Sequence, residues 1–166
     1  MITKVARQFY NETNKFGEAD LPDGRHVWTN THVILVGEPP TGLRDLLTQK
    51  GCGKTIKQSG ITKHYHFWFT DPCITEFTRL DIVGVCHKVE PEKKVLPVLL
   101  QLQNEYREQV IVNKLYLDFI LKTWPKAEFH MTGGNLSFLS VVNLGEIVGV
   151  LMPLNISVYS PEELEV

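Results

Sequence analysis

Cysteine is scarce: the 166 residues contain three, Cys52, Cys73 and Cys86. Three thiols cannot all pair within one chain, and their spacing is not that of a small disulfide framework. Long apolar runs are also missing. The longest, Val95 to Leu102, is interrupted by Pro97 and Gln101 and falls far short of the ~20 residues of a membrane helix. The first residues, Met1 to Gln8, lack the apolar core of a secretory leader. The expectation is a cytoplasmic protein with no membrane contact. Charge of one sign is missing too. Lys and Arg total 17 against 19 Asp and Glu, a net charge of -2, so any nucleic-acid contact must use a local patch.

Catalytic signatures are absent as well. No Gly-x-Ser-x-Gly elbow and no His-Glu-x-x-His pair occurs. Gly51-Cys52-Gly53-Lys54-Thr55 looks like the end of a phosphate-binding loop. However, Thr48 stands where the first glycine belongs, and a predicted helix precedes it instead of a buried strand. A non-enzyme is the expected class, with no cofactor and no metal. An alternative is a metal-dependent nucleic-acid enzyme built on His64, His66, Cys73, Cys86 and His87, with Asp71, Glu76 and Asp81 nearby. No Cys-x-x-Cys or His-x₃-His spacing supports it.

What is present is a globular composition, 43% apolar and 22% charged. Helices are predicted from Thr3 to Asn11 and from Leu43 to Lys50. Pro22-Asp23-Gly24 marks a turn, and the β-branched stretch His26 to Val36 a strand or hairpin. Further strands are predicted over 63–70, 80–89, 95–102 and 105–112. In the first of these, Tyr65, Phe67 and Phe69 alternate with His64, His66 and Trp68. The strongest helix follows, with Asn113 as its N-cap and an apolar stripe of Leu117, Ile120, Leu121 and Trp124. Pro125 ends it. Strands over 127–132, 136–142 and 147–154 come next, separated by Gly133-Gly134-Asn135 and Asn143-Leu144-Gly145-Glu146. The class is α+β: mainly antiparallel sheet with one or two helices on one face. Residues 1–156 form one expected domain, followed by an acidic tail over 157–166 that is expected to fray.

Asn113-Lys114-Leu115-Tyr116-Leu117 and Leu151-Met152-Pro153-Leu154 bracket a strand–helix–strand–hairpin–strand order. This stretch resembles the C-terminal half of a domain of the bacterial DNA polymerase III sliding clamp (β subunit), and the chain resembles small single-domain, phage-type clamp-like proteins more than it does a bacterial clamp. Upstream, Thr29-Asn30-Thr31 is similar to the clamp's Thr-Asp-Gly-like turn, with Asn30-Thr31 in place of Asp-Gly.

The resemblance implies an oligomeric DNA-replication accessory whose helices face duplex DNA through Lys and Arg without reading bases. Lys114, Lys122 and Lys126 on and after the helix would then face phosphates, although Asp118 offsets the first two as i,i+4 pairs. The bland reading of that face is ordinary solvated surface. The basic stretch Arg44, Lys50, Lys54, Lys57 and Lys63, followed by His64, His66 and Trp68, is a second candidate binding surface. Its bland reading is a basic loop leading into a core strand. The alternative partner is a host replication or defence protein, which this chain would bind as an inhibitor or adaptor.

Overall fold

A computed structural model describes residues 1–13, 15–49, 54–55, 69, 78–88, 99–103, 109–132, 135–153 and 164–165. The fold is α+β with mainly antiparallel strands. Contacts divide the chain into two compact units. One comprises Met1–Thr70 with Val148–Val150; the other comprises Asp71–Ile147 with Leu151–Val166.

The first unit opens with α1 (Lys4–Glu12), N-capped by the Thr3 hydroxyl, which accepts from the Ala6 amide at 3.2 Å. Its Ala6 and Phe9 are buried. Strands β1 (Lys15–Asp20), β2 (His26–Thr29) and β3 (Val33–Val36) form an antiparallel meander. The β1–β2 connection is the expected Pro22-Asp23-Gly24 turn. Gly24 takes φ 88°, and the Leu21 amide donates to the Arg25 carbonyl at 2.7 Å. That is a type I turn closed by a left-handed residue, one of the common hairpin links.

Strand β2 is the heart of this unit's core. Trp28 is fully buried, with the Phe9 ring edge-on at 5.8 Å and the Phe16 ring stacked at 6.4 Å. Helix α2 (Leu43–Gln49) buries Leu43 and Leu46 on one face, while Leu47, expected on the same face, is half-buried. Short β4 (Lys54–Thr55) pairs with β1 in parallel. Along β10 (Glu146–Leu151), the residues Val148 to Val150 lie beside β3.

The second unit has the strand order β9–β8–β5–β6–β7. Its members are β5 (Arg79–Lys88), β6 (Leu99–Gln103), β7 (Gln109–Asn113), β8 (Glu128–Thr132) and β9 (Asn135–Asn143). Neighbours in this order are paired antiparallel.

Helix α3 (Lys114–Thr123) starts where the sequence predicts. The Asn113 side-chain oxygen accepts from the Leu115 amide at 2.9 Å. Its buried residues are Tyr116, Leu117 and Ile120, while Leu121 and Trp124 are half-buried. The buried stripe is therefore rotated by about one residue toward the N-terminus, because the amphipathic Tyr116 ring goes inward and the larger Trp124 sits at the helix end. A two-residue turn, Leu144 at φ 50° and Gly145 at φ 82°, joins β9 to β10, as in a type I′ hairpin.

Two boundaries differ from expectation. Strand β10 stops at Leu151, before Pro153, which has no amide for a ladder. In the acidic tail, Leu164–Glu165 does not fray but forms β11, antiparallel to His87 and Lys88 of β5. Strand β8 pairs with only Arg79 and Leu80 of the ten-residue β5, so backbone groups toward Lys88 remain for another strand.

Candidate functional site

Helix α3 places Lys114, Asp118 and Lys122 at successive i,i+4 positions, hence along one line of its surface. Lys122 and Lys126 are exposed. Lys114 reaches Asp118 at 2.5 Å, whereas Lys122 and Lys126 have no ion pair among the described residues. The helix rises about 12 Å from Lys114 to Lys122. Lys122 also lies in the last turn, where a cation complements the partial negative charge of the free carbonyls. This face can hold anionic groups by charge without bidentate recognition.

Of the second basic stretch, the described residues include Arg44, Lys54 and Phe69. Arg44 does not extend freely into solvent. Its Nε donates to Glu18 Oε2 at 2.8 Å, its terminal nitrogen bonds Glu18 Oε1, and the same nitrogen meets Glu38 at 2.7 Å. The hydrogen bonds that Arg44 donates to Glu18 raise its already high pKa further, and they are the largest reason that Glu18 titrates below its usual range. Lys54 lies on β4, in register with Lys15 of β1. Phe69 is buried with the Arg25 guanidinium 5.4 Å from its ring centre, as the core reading of this stretch expects, but it is helical and not part of the strand predicted over 63–70. Lys50, Lys57, Lys63, His64, His66, Trp68 and Cys73 lie outside the described residues.

Two polar constellations escape sequence reasoning. The first surrounds His26 on β2. Its Nδ1 lies 2.9 Å from Asp20 Oδ1, and its Nε2 lies 2.9 Å from Glu18 Oε1. Alternation along β1 puts Glu18 and Asp20 on one face, and the Asp20↔His26 register brings the imidazole to them. The second joins Thr78, His130 and Glu128. The buried His130 has Nδ1 2.9 Å from the Thr78 hydroxyl and Nε2 3.3 Å from Glu128, which Arg79 also holds at 2.9 Å. Both ring nitrogens are thus satisfied, as a buried histidine requires. The spacing of these residues in sequence carries no hint of either cluster; strand register creates both.

Sequence reasoning also passed over exposed Lys4 and Arg7 on α1 and Lys15 on β1. Their only signal is the i,i+3 spacing of the first two on a predicted helix. Among the described residues no group of three or more His, Cys, Asp or Glu is placed to hold a metal ion. No helix among them is long and apolar enough to cross a membrane. The chain matches no protein-family model, no curated protein and no solved structure.

Proposed function

We propose that this chain is a phage-type, sliding-clamp-like accessory of DNA replication, working in the bacterial cytoplasm as a homo-oligomer on duplex DNA. The observation that carries this reading is the element order β7–α3–β8–β9–β10, with Asn113 as the α3 N-cap and Lys122 and Lys126 exposed at the helix end. The resemblance to clamp domains rests on this order. Its free cations are lysines, which hold phosphates as point charges and read no bases.

The test is solution mass with and without duplex DNA, together with affinity as a function of salt. If Lys114, Lys122 and Lys126 each neutralise one phosphate, log K falls against log salt with a slope of about -2.7 per chain. Lys122→Glu lowers affinity equally for all sequences and reduces that slope by about 1. A chain that stays monomeric and binds no duplex at low salt overturns the proposal.

A second reading is a clamp-fold adaptor for a host replication or defence protein. It is favoured by Leu144, a large apolar residue 82% exposed at the β9–β10 turn. Replacing Leu144 with Asn leaves DNA affinity unchanged under the first reading and abolishes stoichiometric partner capture under the second.

A further inference from the structure

The geometry around His26 specifies its protonation state. An ionised carboxylate can only accept hydrogen bonds. Both ring nitrogens face carboxylate oxygens, Nδ1 toward Asp20 and Nε2 toward Glu18, each at 2.9 Å. Both contacts are attractive only if both nitrogens carry hydrogen. A neutral imidazole keeps one N–H and turns the other nitrogen's lone pair toward an anion. One attraction then becomes a repulsion, and the two contacts cannot both persist.

The same Glu18 oxygen that meets His26 also accepts from Arg44, and the other Glu18 oxygen accepts from Arg44 Nε. The imidazolium and the guanidinium therefore share one carboxylate. The charged groups facing this point are Glu18 and Asp20 from β1, Arg44 from α2 and Glu38 from the segment after β3. Asp23 and Arg25, in the adjoining turn, bond each other at 2.7 Å. With His26 charged, two cations meet three carboxylates. With it neutral, Arg44 alone faces three.

We propose that Glu18, Asp20 and His26 form a proton-operated clasp on the β1–β2 hairpin, closed by the imidazolium, opened by its deprotonation, and coupled through Glu18 to Arg44 on α2. Opening releases the last pair of the ladder, Asp20↔His26, beside the Pro22-Asp23-Gly24 turn. It also transfers all of Glu18 to Arg44. The hydrogen bonds His26 donates to Glu18 and then to Asp20 are the chief reason that it holds its proton above the usual histidine range, so the clasp works on the alkaline side of that range.

NMR titration of the full chain tests this. The His26 ring protons are expected to titrate with a midpoint above 6.5. Glu18→Gln and Asp20→Asn each lower the midpoint, and Arg44→Met raises it by removing a competing cation. Amide exchange of Leu21 and Gly24, whose amides bond within the turn, is expected to lose about twofold to fivefold protection as the ring deprotonates, after correction for the intrinsic rate. In His26→Gln that protection is independent of pH. A wild-type midpoint at or below 6.5, or the same loss of protection in His26→Gln, overturns the proposal. Should His26→Gln fail to fold, the wild-type midpoint and its shift in Asp20→Asn still decide.

Discussion

Gly149 offers the sharpest mechanical test of the first unit. It lies in β10 at a point where a Cβ would meet the Leu35 side chain, the Ile34 carbonyl oxygen at 2.6 Å and Leu35 Cα at 3.3 Å. A side-chain contact can be relieved by a rotamer change; a strand carbonyl and a Cα cannot move without shifting β3. Gly149→Ala therefore belongs at the upper end of overpacking costs, about 3 kcal/mol. Reduced entropy of the unfolded chain returns about 0.5 kcal/mol of that, leaving a net loss of roughly 2–3 kcal/mol. For a chain of this size that corresponds to a fall in Tm of roughly 4–12 °C.

The assay is urea unfolding followed by far-ultraviolet circular dichroism and tryptophan fluorescence. Trp28 reports the same unit and is fully buried. Combining Gly149→Ala with Leu35→Val separates the two contacts. Leu35→Val relieves the side-chain share, so the double variant is less destabilised than the two singles added together, by about 1 kcal/mol. The carbonyl share survives. A Gly149→Ala chain within about 0.5 kcal/mol of wild type, or strict additivity, would refute the close approach of β10 to β3.

Thr31, a β-branched residue at φ 81° in the β2–β3 loop, carries strain that glycine relieves. Thr31→Gly is expected to stabilise the chain by about 1 kcal/mol in urea unfolding, and a loss of stability would contradict it. Stability also depends on pH in a signed way. His26 has a raised folded pKa, so its contribution is complete below about 6.5 and disappears as pH rises through the folded value. His32 is lowered by burial, so its contribution is present above about 6.5 and lost as pH falls. Glu18 is lowered chiefly by Arg44, and its contribution is lost only as pH falls below about 4.5. The stability difference between wild type and His26→Gln should therefore be largest near pH 5.5–6 and shrink as pH rises through the raised folded value. A difference that grows with pH would reverse the assignment.

Elements whose pattern is local were legible in the sequence. Asn113 and Pro125 bound α3 because a cap and a breaker act through one turn of chain. Pro22-Asp23-Gly24 and Leu144-Gly145 were legible because their φ requirements are specific. Strand β1 was not. Lys15-Phe16-Gly17-Glu18-Ala19-Asp20 carries glycine and aspartate, both poor strand formers, and it buries Gly17 and Ala19. Those small residues leave almost no mark on a hydrophobic pattern. What makes this segment a strand is its neighbour: Trp28 lies opposite Glu18 in the register, and the Phe16 ring stacks on it. The His26 cluster was hidden for the same reason, since three residues on two strands converge only once the hairpin register is known. On α3 the face was legible but not its rotation, because amphipathic Tyr and Trp can turn either way.

The balance of charge acquires a different meaning once partners are known. Among the described arginines, Arg25, Arg44 and Arg79 each bond carboxylates of the same unit. Only Arg7 has no carboxylate partner among the described residues. Arginine is the side chain suited to bidentate recognition of phosphates and guanine edges, and here it is largely consumed in holding strands, turns and α2 together. The exposed cations that remain are Lys4, Arg7 and Lys15 in the first unit and Lys122 and Lys126 in the second, all but one of them lysines. An anionic partner would therefore meet mobile point charges. Lysines of this kind, taken in either unit by itself, attract a phosphate backbone in proportion to their charge and discriminate poorly among sequences. A duplex-binding protein built this way would hold DNA loosely and allow it to move, so the weakness of each contact is a requirement of the proposed role.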